Sequence, residues 1–240
     1  MKKGFSQFIF EFIMLFLAIT AGFFVENLRE DYSEQKQEKA LIKTMVEDLK
    51  IDIENLQRIT TIRNTRRLML DSLTLLMNSG NPDKYTNLIY VQAKKVSRFL
   101  EFTYISLDRT YEQLKNANGF RLIENQKVAE RISKYYEQVK LVNQLEDQEN
   151  FFVQLYLPIC YQIFDGLVFD KIIDEDGRLQ KLPSHVNPSL LKTYANQLST
   201  FNGNLNNIKA VNKKVIADEK KLILQGEALI DFIKDEYNYE

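Results

Sequence analysis

Imidazole and thiol chemistry have one residue each to work with, because His185 and Cys160 are the only histidine and cysteine in 240 residues. A Ser-His-Asp or Cys-His arrangement must route through His185. That residue sits in Leu182-Pro183-Ser184-His185, which reads as an exposed, proline-flanked loop. A catalytic role there would need an acid and a nucleophile brought in by the fold. Cys160 lies between Ile159 and Tyr161, just after Pro158, and reads as a small buried hydrophobe, with an intermolecular disulfide as the alternative. A zinc site would have to draw mainly on carboxylates. Acids crowd the tract from Asp170 to Gly177, but without the alternating spacing of a calcium loop. The sequence has no glycine-rich phosphate loop, no CxxC pair and no HExxH. The expectation is a non-enzyme with no cofactor and no metal site.

Two charged features carry the remaining candidates. Arg58, Arg63, Arg66 and Arg67 cluster within ten residues and read as a solvated face paired with acids of neighbouring helices, with contact to an anion or a partner as the alternative. Glu11 stands inside an apolar run and reads either as a headgroup-level acid or as a contact with another transmembrane helix. An aromatic run (Phe151, Phe152, Tyr156, Tyr161, Phe164 and Phe169) has the spacing of core packing. A formal net charge of -1, with 32 basic against 33 acidic residues, excludes the electrostatic footprint of a nucleic-acid binder.

The elements that position these residues are helices. Hydrophobic residues make up 45% of the chain and charged ones 27%, as in a folded domain, and glycine (8) and proline (4) are too few to punctuate a many-stranded sheet. Phe5 to Val25 is apolar apart from Glu11, and as a helix would rise about 31 Å, the thickness of a hydrocarbon core. Lys2 and Lys3 precede it, and Glu26, Arg29, Glu30 and Asp31 follow. The charge bias gives a signal anchor over residues 5–25, with residues 1–4 cytoplasmic and residues 26–240 outside.

Beyond the span, Ile42, Val46, Leu49, Ile53, Leu56, Met69, Leu73 and Leu76 predict a helix from Tyr32 to Asn78, continuous with the span and stopped by Ser79-Gly80-Asn81-Pro82. A second helical region covers Asp83 to about Leu100, breaks near Phe102-Thr103-Tyr104, and resumes at Leu107 with Ser106 as N-cap until Asn118-Gly119. A third starts after Asn125 and runs to about Leu157, where Pro158 should kink or end it. An irregular loop holds residues 165–187, with a small hairpin around its Asp-Gly pair. Asn187-Pro188 then reads as the start of a fourth helix, whose three-four alternation slips between Ile208 and Val215 as a stutter. Four such regions predict an all-α fold, an up-down-up-down bundle whose C-terminus returns toward the membrane.

The chain resembles a family of bacterial membrane proteins with one N-terminal span and a helical extracytoplasmic region. The likeness is carried by the span with its early acid (Glu11 to Ile19), by Glu26-Asn27-Leu28-Arg29-Glu30, and by Glu47-Asp48-Leu49-Lys50-Ile51-Asp52. Thr110 to Ile123, followed by Tyr135-Tyr136, carries the rest. Where that family usually has a tryptophan at the membrane exit, this chain has Leu28. The resemblance implies an anchor and a helical domain, and no activity is established for the family. From its residues alone, Thr110 to Ile123 reads as a structural corner. Together these features predict a non-enzymatic, single-pass inner-membrane scaffold or interaction protein, self-associating or bound to another membrane protein. A ligand-sensing bundle that signals through a partner is the alternative.

Overall fold

A computed structural model describes residues 4–116 and 119–239, the side chains of residues 5–7 and 99–100 excepted. Among the described residues there are six α-helices and no strand: α1 (Phe5–Met77), α2 (Thr86–Val96), α3 (Arg109–Asn116), α4 (Gln126–Ile163), α5 (Gly166–Asp170) and α6 (Tyr194–Tyr237). The fold is all-α. The apolar run and the first bundle helix are one element of 73 residues, about 110 Å long.

From Phe8 to Gln37 every side chain of α1 except the half-buried Glu34 is exposed. An eighteen-residue window of this arm has a mean hydropathy of 2.4 with none of it buried, a length and composition that can cross a membrane. The bundle begins at Glu38. There α1 leads away from the arm, and the stretch from α2 through α3 returns along it. α4 then leads away again, and α6 comes back until Tyr239 donates its hydroxyl to the Lys39 carbonyl, 3.1 Å away. Tyr237 and Tyr239 therefore lie at the arm end of the bundle.

All three long helices bury residues at a strict seven-residue repeat. In α1 one row is Ile42, Leu49, Leu56, Arg63, Leu70 and Met77, and the other is Glu38, Met45, Asp52, Ile59, Arg66 and Leu73. The α4 rows are Val128, Tyr135, Val142, Glu149, Tyr156 and Ile163, beside Ile132, Val139, Glu146, Val153 and Cys160. In α6 they are Phe201, Ile208, Val215, Leu222 and Leu229, beside Leu205, Asn212, Glu219, Gly226 and Ile233. This is the seam of coiled-coil packing. The stutter expected between Ile208 and Val215 is absent, because Asn212 holds the seam position there. Gly226 is a seam residue for want of space, since a Cβ on it would stand 3.0 Å from the Ile53 side chain.

Four other expectations are corrected. Of the kink or end expected at Pro158, the end is overturned, because the third helix continues to Ile163. The carbonyl that a residue-158 amide would have bonded belongs to exposed Gln154 and can turn to water, while Tyr156, Cys160 and Ile163 keep the buried face packed. The last helix begins at Tyr194 rather than at Asn187-Pro188. The intervening chain caps α4 instead: the Leu191 amide bonds the Ile163 carbonyl at 2.9 Å and the Thr193 hydroxyl bonds the Gln162 carbonyl. The helix expected from Leu107 starts at Arg109, where the Glu112 amide donates to the Asp108 carbonyl, and Ser106 is not its cap.

The stretch expected to be irregular over 165–187 includes α5 and extends to residue 193, with the Asp-Gly hairpin present as one antiparallel bridge between Ile173 and Leu179. Gly177 takes φ +76° at that turn. Asn118 of the expected helix stop lies outside the described residues. Gly119 serves by close approach, since a Cβ there would meet the Leu114 Cα at 2.9 Å.

Candidate functional site

The apolar core is divided in two. A near core, on the arm side, gathers Ile42 to Ile59 of α1, Tyr104 to Val142 and Val211 to Ile233. A far core gathers Leu70 to Met77, α2, Val153 to Val186 and Phe201 to Ile208. Between them the seams of all three long helices turn polar at one level, with Thr60, Arg63 and Arg66 from α1, Glu146 and Glu149 from α4, and Asn212 and Glu219 from α6. Arg63, Arg66, Glu149, Asn212 and Glu219 are each 0% exposed.

The layer is densely bonded. Arg63 donates from Nη1 to Glu149 Oε2 at 2.6 Å and from Nη2 to Glu146 Oε1. Its Nε lies 2.7 Å from Glu219 Oε1 at an angle short of a hydrogen bond. Arg66 donates to Glu149 Oε1, and its guanidinium carbon stands 4.4 Å from the centre of the Phe102 ring. Asn212 Nδ2 donates to Glu149 at 3.3 Å, and the Thr60 hydroxyl to Glu219 Oε2 at 2.9 Å. Burial pushes the carboxyls of Glu146 and Glu219 up, and that of Glu219 reaches about 7 although Arg63 and Thr60 pull it down. The Arg66 guanidinium is lowered, first by burial.

A second polar system ties down the returning stretch around residues 103–124, the strap. Its backbone is irregular from Thr103 to Asp108, which leaves amides without helical partners. Carboxylates take two of them, those of Tyr104 and Leu107, and two more amides further along the strap. Glu146 accepts from Tyr104 N at 2.9 Å, Asp52 from Leu107 N at 2.9 Å, Asp48 from Thr110 N at 3.3 Å, and Glu38 from Glu124 N at 2.8 Å. Hydroxyls complete three of these sites: Tyr104 and Tyr135 donate to Asp52 Oδ2 at 2.6 and 2.7 Å, Thr110 to Asp48 at 2.5 Å, and Tyr237 to Glu38 at 2.5 Å. Burial raises Asp52 although all three of its donors lower it. Tyr111 stacks on Tyr136 with ring centres 4.1 Å apart, and Leu114 and Ile123 are buried in the near core.

Pairing of the arginine cluster with acids of neighbouring helices holds for Arg63 and Arg66, but the solvated face expected of it is corrected. Arg58 is exposed, and half-buried Arg67 lies 3.6 Å from Asp71, whereas Arg63 and Arg66 are interior and out of reach of an anion or partner. The seven-residue row from Ile42 through Leu49 and Leu56 lands on Arg63, which is the signal that marks it as a core residue. Glu11 is exposed on the apolar arm. His185 is exposed in its loop and Cys160 is 2% exposed beside Tyr156. The Asp174 carboxylate accepts from the Arg178 amide and so shapes its own turn. Among the described residues no group of three His, Cys, Asp or Glu side chains is placed to hold a metal ion. Of the aromatic run, Tyr156, Phe164 and Phe169 are in the far core, while Phe151 and Tyr161 are more than half exposed.

Compared with known proteins, the chain matches no family model, no curated protein sequence and no solved structure. What the arrangement can do follows from its own geometry. A buried layer whose ion pairs run between helices sets the register of those helices, since a one-heptad slip would bury charges against apolar residues.

Proposed function

We propose that this chain is a non-enzymatic, single-pass scaffold or interaction protein of the bacterial inner membrane. In this reading residues 1–4 are cytoplasmic, residues 5–25 cross the bilayer, and the bundle stands outside the cytoplasm. The observation that carries it is the apolar arm of α1, with none of its eighteen-residue apolar window buried, continuous with a bundle helix. A helix with that surface needs lipid or another helix around it. Its continuity with the bundle transmits any pairing in the membrane to the register of the domain. Glu11, exposed within the arm, is the contact to another transmembrane helix, either a second copy or a different membrane protein.

The test is the mass and composition of the full-length protein purified in mild detergent from its membrane, beside Glu11→Leu. A single-species oligomer, or a stoichiometric second protein, that Glu11→Leu disperses while leaving the helical circular dichroism intact is the expected result. Recovery of a monomer alone, or an assembly that Glu11→Leu leaves unchanged, refutes the role given to the arm.

A further inference from the structure

Among the described residues the ionic layer is out of charge balance. Two guanidiniums, Arg63 and Arg66, face three carboxylates, Glu146, Glu149 and Glu219, and all five are between 0% and 3% exposed. Among the described residues, the groups that also face them include the Thr60 hydroxyl from α1, the Asn212 amide from α6, and the Tyr104 amide, Val96 carbonyl and Phe102 ring from the returning stretch. One negative charge is thus left over in an interior where an uncompensated charge is costly.

The three carboxylates are not equally served. Glu146 Oε1 takes two N–H donors, from Arg63 and from Tyr104. Glu149 takes Arg63 on one oxygen and Arg66 and Asn212 on the other. Glu219 accepts only from the Thr60 hydroxyl, and its Oε1 faces Arg63 Nε as an ion pair without a hydrogen bond among the described residues. A proton placed there removes the excess charge at the site with the fewest bonds to lose.

We propose that the layer binds one proton, on Glu219, and that gain and loss of this proton tie the tightness of the bundle to the pH around it. With the proton bound, the layer is neutral and the three helices are locked at its level. Without it, the extra charge presses against Glu146 and Glu149 and loosens the joint between the two cores. The direction agrees with burial pushing Glu219 up to about 7 from the ordinary 4.5. A carboxyl raised in the folded state contributes stability that is full below 4.5 and lost as pH rises through about 7. Asp52 and Glu146 are raised as well and add to the slope in the same sense.

Thermal unfolding of the full chain in detergent micelles, followed by circular dichroism, tests the proposal with Glu219→Gln as comparison. The wild-type Tm should fall by on the order of 5 °C between about pH 5 and pH 8. The amide introduced by Glu219→Gln stays neutral, so this variant should show a clearly shallower fall and overtake the wild type above neutrality. The same slope in both chains, or no slope in the wild type, overturns the proposal. Thr60→Val provides a second reading should Glu219→Gln fail to fold. It removes the donor to the charged form and should move the wild-type transition to higher pH, and an unmoved transition counts equally against the proposal.

Discussion

On the far side of the ionic layer the returning chain packs on α1 as a regular helix, burying Ile89, Tyr90, Ala93 and Val96. On the near side the same pass runs from Thr103 to Asp108 with no regular structure, yet Tyr104 is buried there too. Helix α2 bonds its own backbone amides and packs an apolar face against its neighbours. The strap cannot, so its amides are met by Asp48 and Asp52 of α1 and by Glu146 of α4. In the strap, buried irregular backbone is met by acceptors that the neighbouring helices present. Glu146 serves both systems, since it accepts from Arg63 and from Tyr104 and thereby links the strap to the layer.

Three substitutions break or sharpen this contrast, each read by unfolding the full chain in detergent. Arg63→Ala should have the largest effect, because it takes the only ion-pair partner seen among the described residues from Glu146 and Glu219 and leaves Glu149 with Arg66 alone; breaking one partner of a buried pair costs about 3–5 kcal/mol. A loss below about 1 kcal/mol would mean that the layer is not the joint between the cores. Ile89→Ala tests the far core and should cost about 2–4 kcal/mol by leaving a cavity, while hydrogen exchange in residues 103–110 stays slow.

Asp52→Ala tests the near side. It removes the acceptor of Tyr104, Tyr135 and Leu107 and should cost about 1–3 kcal/mol, with exchange accelerated in the strap and not in α2. Should Asp52→Ala leave strap exchange unchanged, apolar packing holds that segment just as it holds α2, and the contrast fails.

Much of the layer was legible in the sequence, because it obeys the same repeat as the apolar seams. Counting sevens from Ile42 reaches Arg63 and then Leu70 and Met77, and counting from Leu205 reaches Asn212 and Glu219. The two gaps in the apolar pattern, after Leu56 and around Val215, are where polar residues hold the seam. They read as a solvated face and as a stutter only when charge is taken to mean exposure. The fate of Asp48 and Asp52 was not legible, since their partners lie more than fifty residues away in a segment with no period of its own. Nor was the reach of α4 past Pro158, which depends on the packing of Tyr156, Cys160 and Ile163 against other helices.

The sequence by itself determined the helices, the apolar arm and the seven-residue seams. These follow from side-chain volume, backbone propensity and spacing along one chain, all of them local quantities. Only the tertiary structure decided that Arg63 and Arg66 meet Glu146, Glu149 and Glu219, that carboxylates of α1 hold the strap, and that the layer carries one acid too many. Whether a charge is solvated, paired or left over depends on what the other helices bring to the same level, and no single stretch of sequence contains that information.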